Sequence, residues 1–319
     1  MESGAGPWTP ARRKHSFRPP APHMRERYTG KMLVWINGQI SPPADAKISI
    51  FDRGFLYGDA VYELIRFFDG YGIEMDRHRS RLARSLRKIG IAGFEPERMD
   101  SICRELLEEL GSGDATVYLQ VTRGVQIPRM HAPAENLEPN VIAIATKASP
   151  LDRSAGPEKV RTILLEDERR VRCDVKATNL LVNVLGTMDA TQAGADEPIF
   201  VHDGAITETA SANVFIVEQD RVITPPLGGS RSILPGVMRA QTLEIAGELG
   251  LRCLEERVSL ERLDRASEAF ITSSRRLVAA ITEIDGKLVN SGTPGPVTLA
   301  IHENMLSRIE GAIAAFSTH

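Results

Sequence analysis

The sequence is poor in cysteine and in long apolar runs, and each shortage excludes a class of protein. Its three cysteines, Cys103, Cys173 and Cys253, are odd in number and far apart, which argues against a disulfide framework and favours reduced thiols. No Cys-x-x-Cys pair is present and the histidines show no metal-ligand spacing, so we expect no bound metal. No apolar run approaches the ~20 residues of a membrane-spanning helix. We therefore expect a cytoplasmic protein that does not bind a membrane.

Neither sign of charge is in large excess. The formal net charge is −3, which gives no electrostatic reason to expect nucleic acid as a partner. Hydrophobic residues make up 42% of the chain and charged residues 25%, as in soluble globular proteins. The sequence also lacks the glycine-rich dinucleotide motif, the P-loop, the serine nucleophile elbow and the zinc-protease motif. Small molecules and other protein chains remain as the expected partners.

Residues 1–31 differ in composition from the rest of the chain. They are rich in proline, glycine and arginine and show no periodic apolar pattern, so we expect a disordered N-terminal extension. The segment is basic and poor in acidic residues, as transit peptides are. A flexible extension, or a true start at Met24 or Met32, explains it better.

Residues 32–148 are predicted to form a small α/β domain. "MLVWINGQI" predicts a β-hairpin that turns at Asn37-Gly38, and a glycine-rich loop and a strand ending at Asp69-Gly70 follow. "DRHRSRLARSLRKIGI" and "PERMDSICRELLEELG" carry apolar residues at helical spacing, and the second helix should end at Gly111. "ATVYLQVTRG" and "NVIAIATKA" predict two further strands.

Residues 149–157 are the predicted linker, because prolines and a glycine cluster there. Residues 158–319 then alternate several strands with a few helices, which predicts a larger α+β domain with a curved, barrel-like sheet. The fold class predicted for the whole chain is therefore two-domain α+β.

One lysine lies at a position where chemistry is plausible. In "RCDVKATNLL", Lys176 follows a strand-like segment and precedes a predicted helix, for which Thr178 or Asn179 is the expected N-cap. A lysine amine can condense with an aldehyde, and burial tunes its reactivity. Position alone, however, leaves an exposed loop lysine as the simpler interpretation.

Four ordered motifs change that interpretation. "RCDVKATNLL" (172–181), "ITETASANVF" (206–215), "ILPGVMR" (233–239) and "FITSS" (270–274) together resemble the pyridoxal-phosphate-dependent class IV aminotransferases, over about Met32 to Gly286. The resemblance implies the two-domain fold type IV, pyridoxal 5′-phosphate as cofactor, and Lys176 as the catalytic lysine that binds it as a Schiff base.

The resemblance also implies roles for residues outside the lysine motif. Glu208 matches the carboxylate that faces the pyridine nitrogen, and Arg81 matches the arginine that binds the phosphate. Arg77 and Arg79 beside Arg81 leave a role as a solvated helix arginine open.

The phosphate needs further donors. The backbone N–H groups of Val237 and Met238, at the start of a predicted helix, and the donors of Ser273 and Ser274 are expected to supply them. Relatives often carry threonine where Met238 stands, so a side-chain hydroxyl is missing there. The roles of the following pair, Arg275-Arg276, stay open.

The substrate class depends on how the α-carboxylate is held. Arg129 and His131, together with Tyr62, resemble the carboxylate trap of D-amino-acid aminotransferases, in which the arginine and histidine come from the neighbouring subunit. The resemblance therefore implies a homodimer.

The predicted function is transfer of an amino group from a D-amino acid, such as D-alanine or D-glutamate, to a 2-oxo acid by a ping-pong mechanism through Lys176. A branched-chain L-amino-acid aminotransferase and an aminodeoxychorismate lyase are the nearest alternatives. A non-catalytic relative that binds pyridoxal phosphate or a partner protein is a third; the presence of Lys176 and Glu208 argues against it.

Overall fold

The computed structural model describes residues 31–228 and 231–318, so the extension predicted for residues 1–31 lies, apart from Lys31, outside the described residues. The described chain divides into two compact units. We call residues 31–152, 175–180 and 309–318 the N-terminal unit, and residues 153–174 and 181–308 the C-terminal unit.

The N-terminal unit is an antiparallel sheet with two long helices. Its elements are β1 (Met32–Ile36), β2 (Gln39–Ser41), α1 (Arg53–Tyr57), β3 (Ala60–Phe68), β4 (Tyr71–Gly72), α2 (Met75–Ile89), α3 (Arg98–Leu110), β5 (Ala115–Thr122) and β6 (Val141–Lys147). The strand order is β2-β1-β6-β5-β3-β4. Asn37 and Gly38 both have positive φ, 48° and 96°, as the predicted two-residue hairpin requires.

The core of this unit lies where α2 and α3 meet the sheet. Leu82 and Leu86 of α2 and Leu106 of α3 are buried with Ile65 of β3 and Val117 of β5. The helical spacing in the sequence therefore predicts correctly which face of each helix is buried. Helix α3 ends at Gly111, whose φ of 66° is the left-handed conformation that favours glycine at a helix end.

The glycine-rich loop predicted before β3 contains a short helix, α1. The Asp52 side chain accepts hydrogen bonds from the N–H groups of Gly54 and Phe55 and so caps its first turn. The expectation that Thr178 or Asn179 caps the helix after Lys176 is wrong, because that helix begins only at Leu181.

Both side chains instead satisfy carbonyl groups at the end of α1. The Thr178 hydroxyl donates to the Gly58 carbonyl at 3.2 Å, and the Asn179 amide donates to the Tyr57 carbonyl at 3.0 Å. The carbonyls at a helix end have no partner within the helix, which explains why these donors are used there.

The C-terminal unit contains the remaining strands and helices. They are β7 (Glu158–Glu166), α4 (Leu181–Gln192), β8 (Glu197–His202), β9 (Ala205–Thr209), β10 (Asn213–Glu218), β11 (Arg221–Thr224), α5 (Val237–Glu248), β12 (Arg252–Glu255), α6 (Leu260–Arg265), β13 (Glu268–Ser273), β14 (Leu277–Ile284), β15 (Lys287–Leu288), a 3-10 turn (Asn290–Gly292) and α7 (Pro296–Phe316), whose end belongs to the N-terminal unit.

Six of these strands close into a barrel. They follow the order β10-β13-β14-β7-β8-β9, and β9 pairs with β10 through Glu208 and Asn213. Alternate residues such as Val214, Ile216 and Ile271 fill one face of the sheet, as the two-residue period of strands requires. The predicted α+β class with a barrel-like sheet is therefore confirmed.

Candidate active site

Lys176 lies on a short segment that pairs with β3 of the N-terminal unit. The Tyr62 N–H donates to the Lys176 carbonyl at 2.9 Å, and Ala177 forms an isolated β-bridge with Val61. Val175 and Ala177 belong to the core of the unit. The Ala177 N–H donates to the Val175 carbonyl at 2.8 Å, so the chain makes a tight turn at Lys176 between these two core residues.

The Lys176 amine lies against an aromatic surface. Its Nζ is 4.0 Å from the centre of the Tyr62 ring, and the side chain is half-buried. The Tyr62 and Tyr118 ring centres are 5.3 Å apart, and the Tyr118 hydroxyl donates to Gln120 Oε1 at 2.6 Å. Burial, with a smaller contribution from Tyr62, raises the pKa of Tyr118, so its hydroxyl stays protonated. The lysine amine is thus held against Tyr62, which packs against Tyr118, instead of standing in a solvated loop.

Helix α2 supplies a buried arginine to the same unit. Arg81 donates from Nε to Glu63 Oε1 at 2.8 Å and from Nη2 to Glu63 Oε2 at 2.6 Å, a bidentate ion pair. One turn further along α2, the Ser85 hydroxyl accepts the Lys176 N–H at 3.3 Å. The interpretation of Arg81 as a solvated helix arginine is therefore wrong, since its side chain is buried.

Arg129 and His131 lie together on an exposed loop after β5. Both stand beside Tyr57: the Arg129 guanidinium carbon is 4.7 Å from the ring centre, and the two ring centres of Tyr57 and His131 are 5.4 Å apart. Arg53 fixes the loop by donating to the carbonyl oxygens of Met130 at 2.7 Å and His131 at 2.8 Å. Among the described residues, no hydrogen bond or ring contact joins this pair to Lys176 or Tyr62.

In the C-terminal unit, Glu208 is buried at the point where the barrel closes. Its Oε1 accepts from Arg169 Nη1 at 2.6 Å, and its Oε2 accepts from the Leu234 N–H at 3.0 Å and from Asn213 Nδ2 at 3.3 Å. Burial raises the pKa of Glu208 above its ordinary value, although Arg169 and Leu234 act against that rise. The carboxylate is therefore held by three donors and still incompletely compensated.

Sequence reasoning missed the group that holds Glu208. Asp167 accepts from Arg169 Nε at 2.9 Å and from Nη2 at 2.8 Å, and the Thr207 hydroxyl also donates to Asp167 at 2.9 Å. The buried Arg169 side chain thus bridges Asp167 and Glu208. The only signal in the sequence is "EDERR" at the end of a strand, which looks like an ordinary charged loop.

Val237 and Met238 open helix α5, as predicted, and both are buried. Gly236 precedes them, and a Cβ there would lie 2.0 Å from Asn213 Oδ1, so only glycine allows this approach. Asn213 donates to the Leu234 carbonyl at 2.9 Å and to Glu208, so it connects the segment before α5 to that carboxylate. The Met238 side chain offers no hydroxyl and is 2% exposed.

Ser273 ends β13, and Ser274 follows in the turn to β14; both are half-buried. The Ser273 hydroxyl accepts the Arg276 N–H at 3.3 Å. The Arg276 side chain donates to Glu197 at 3.1 Å and is mostly buried, so it stabilises the C-terminal unit, whereas Arg275 is exposed.

The structure thus brings together two groups of predicted residues and leaves a third apart. Lys176 and Tyr62 meet in the N-terminal unit, and Glu208 and the start of α5 meet in the C-terminal unit. Arg129 and His131 form the exposed third group. Within residues 31–228 and 231–318, no cluster of three or more His, Cys, Asp or Glu side chains could hold a metal ion. No helix in the described part of the chain is long and apolar enough to cross a membrane.

Comparison with known proteins places the chain among enzymes. The family described as amino-transferase class IV matches residues 60–284. A D-alanine aminotransferase of Bacillus licheniformis is 38% identical over 273 residues, covering 84% of this chain and 93% of that protein.

Solved structures also match. The branched-chain aminotransferase of Thermoproteus uzoniensis with norvaline has a TM-score of 0.77 at 28% identity, over 89% of this chain and 98% of that one. The branched-chain amino acid aminotransferase from Escherichia coli has a TM-score of 0.76 at 24% identity, over 88% of this chain and 94% of that one, and shows a shared fold.

Proposed function

Because the chain belongs to the class IV aminotransferases, we propose that it is a transaminase that moves the amino group of a D-amino acid to a 2-oxo acid, with pyridoxal 5′-phosphate as cofactor. The observation that carries the proposal is the position of Lys176, whose amine is half-buried against the Tyr62 ring at 4.0 Å. The relative named D-alanine aminotransferase supports the D-amino-acid class at 38% identity.

The residues present fit the proposed cofactor. Its aldehyde suits the Lys176 amine, its pyridine nitrogen suits a buried carboxylate, and its phosphate suits an arginine and a helix N-terminus. The carboxylate is Glu208, for which burial raises the pKa, so a cationic partner would complete its compensation. When bound, pyridoxal phosphate supplies a ring that accepts the electrons left behind when the substrate Cα proton departs.

Each residue then has a defined task. Lys176 would hold the cofactor covalently through Nζ, and its amine would move the proton at the substrate Cα. Glu208 keeps the proton on the pyridine nitrogen. Arg81 and the N–H groups of Val237 and Met238 bind the phosphate, together with donors of Ser273 and Ser274. Without a hydroxyl at position 238, the backbone alone serves the phosphate there.

The substrate carboxylate is assigned to Arg129 and His131. Arg53 fixes their loop, and the two side chains are exposed. Side chains that bind a substrate in a neighbouring copy have to be exposed on their own copy. We therefore propose a homodimer in which this pair completes the site of the other copy, beside the other copy's Tyr62. An arginine binds a carboxylate with two parallel hydrogen bonds, and the side of the site on which the carboxylate is held decides which enantiomer fits.

The test is an amino-transfer assay on the purified protein. The protein is incubated with 2-oxoglutarate and either D-alanine or L-leucine, and pyruvate or the branched 2-oxo acid is measured. The proposal predicts pyruvate from D-alanine. Turnover of L-leucine alone would instead favour the branched-chain activity, which the similarity to the Thermoproteus uzoniensis enzyme makes the specific alternative.

A further inference from the structure

Behind Arg81 lies a buried carboxylate that no part of the proposed mechanism uses. Glu63 stands on β3 and receives three hydrogen-bonding contacts: two from the Arg81 guanidinium, at 2.8 and 2.6 Å, and one from His78 Nδ1, at 2.7 Å. His78 and Arg81 are three residues apart on α2, so they share the face that packs against β3. The three side chains form one connected cluster, which we call the Glu63 cluster.

The burial of the Glu63 cluster determines which of its side chains a ligand can contact. Glu63 and His78 are 0% exposed and Arg81 is 5% exposed. A ligand therefore cannot reach Glu63 or His78, and any effect of these two residues on a ligand must act through Arg81. The bidentate contact fixes the plane of the guanidinium, because two of its three nitrogens are bound to one carboxylate.

The charges within the cluster are fixed by the same contacts. Burial alone would raise the pKa of Glu63, but Arg81 and His78 lower it to about 2, so the carboxylate is ionised at neutral pH. Burial lowers the pKa of His78, against the opposing effect of Glu63 and with smaller contributions from Arg81 and Lys176, which keeps the imidazole neutral. A neutral imidazole that faces a carboxylate through Nδ1 carries its proton there.

We propose that Glu63, held in place by His78, is a positioning residue that orients the Arg81 guanidinium for the phosphate of the cofactor. The inference rests on the proposed function, because it needs a phosphorylated cofactor at Arg81. It assigns the Glu63 cluster to phosphate recognition, whereas the covalent contact is made by Lys176.

A purely electrostatic role for Glu63 predicts the opposite result. If Glu63 mainly cancelled the charge of Arg81, neutralising it would strengthen the binding of an anion. If Glu63 mainly orients the guanidinium, neutralising it should weaken that binding, because misplaced donors lose most of their bidentate geometry. The sign of the change therefore separates the two roles.

The experiment compares two aldehydes that differ only in the phosphate. The cofactor-free protein is titrated with pyridoxal 5′-phosphate and with pyridoxal, and the covalent adduct is followed by absorbance and by borohydride reduction. Glu63→Gln should lose about tenfold or more in affinity for pyridoxal phosphate, while its affinity for pyridoxal stays that of the parent. A merely structural role would change both affinities together.

Two further variants keep the inference testable if Glu63→Gln folds poorly. His78→Ala removes the donor to Glu63 and should show a smaller loss of the same sign, and His78→Asn, which can place an amide N–H near the Nδ1 position, should restore affinity. Glu268→Gln is the matched control: Glu268 is 4% exposed and its carboxylate accepts three hydrogen bonds from Val297 and Thr298. It should keep the parent's preference for the phosphorylated aldehyde.

The outcomes separate the inference from the function on which it rests. If the parent protein forms no reducible adduct with pyridoxal phosphate, the proposed function fails. If the parent forms the adduct but Glu63→Gln and His78→Ala keep or increase the preference for pyridoxal phosphate, the positioning role is overturned and the function stands.

Discussion

Each unit of the protein buries a glutamate against an arginine, but the two carboxylates are compensated to different degrees. Within the Glu63 cluster, Glu63 accepts two hydrogen bonds from Arg81 and a third contact from His78. Glu208 receives one hydrogen bond from Arg169, and that arginine is also bound by Asp167. The pKa of Glu63 accordingly falls to about 2, whereas burial raises that of Glu208.

The opposite pKa shifts indicate that the two buried glutamates have different roles. A carboxylate whose charge is fully compensated serves to orient its partner, because it gains little from a further cation. A carboxylate that burial destabilises gains most when a cation arrives, which suits Glu208 to a protonated ring nitrogen. Predictions that change one carboxylate and not the other test this comparison.

The largest expected effect is on stability. Glu63→Ala leaves the buried Arg81 without its bidentate partner and should lower the free energy of unfolding by about 3–5 kcal/mol. Chemical denaturation of the cofactor-free protein measures this. A loss below about 1 kcal/mol would show that the pair contributes no more than a surface ion pair.

The Glu63–Arg81 ion pair should also make the free energy of unfolding depend on pH. The pKa of Glu63 is lowered from 4.5 to about 2 in the folded protein. The contribution of the ionised Glu63 side chain to the free energy of unfolding is therefore complete above about pH 4.5 and is lost as the pH falls toward 2. The contribution is on the order of 3 kcal/mol. Denaturation of the parent and of Glu63→Gln at pH 7, 4 and 3 measures the difference in the free energy of unfolding between them. This difference should shrink as the pH falls; a constant difference would contradict the ionised pair.

Glu208 should behave in the opposite way. Because its folded pKa is raised, protonation favours the folded state, and this advantage is lost as the pH rises through the raised pKa. Glu208→Gln should therefore cost little stability at neutral pH but lower kcat by about a hundredfold, since an amide does not hold the ring-nitrogen proton. Full activity in this variant would remove Glu208 from the mechanism.

An exposed arginine gives the smallest expected effect. Arg129→Ala should raise the KM for D-alanine by about tenfold and leave stability and cofactor absorbance unchanged, because among the described residues the exposed Arg129 side chain makes no hydrogen bond or ion pair and lies over the Tyr57 ring. Arg252→Ala, at an exposed arginine of β12, is the control and should leave the KM unchanged. An unchanged KM for Arg129→Ala would argue against the carboxylate trap.

Local patterns predicted most of the fold, because hairpin turns and amphipathic helices are set by neighbours in sequence. The Asn37-Gly38 turn and the buried face of α2 are of this kind. The motifs also led to Lys176 and Glu208, through resemblance. What the sequence could not supply is long-range pairing: His78 with Glu63, or Arg169 with Glu208, because solvated and buried charges look alike in a sequence.

The same reason explains the wrong helix cap. Thr178 and Asn179 are good N-cap residues in isolation, but the carbonyls of Tyr57 and Gly58 at the end of α1 accept hydrogen bonds from their side chains. Only the fold brings those carbonyls, more than a hundred residues earlier, next to residues that follow Lys176.

Borohydride labelling tests the central claim most directly. The protein is saturated with pyridoxal 5′-phosphate, reduced, digested and analysed by mass spectrometry, with Lys176→Ala treated in parallel. The account predicts one stable adduct, on the peptide that contains Lys176, and its loss in the variant. An adduct on another lysine, or an unchanged absorbance spectrum in Lys176→Ala, would contradict it.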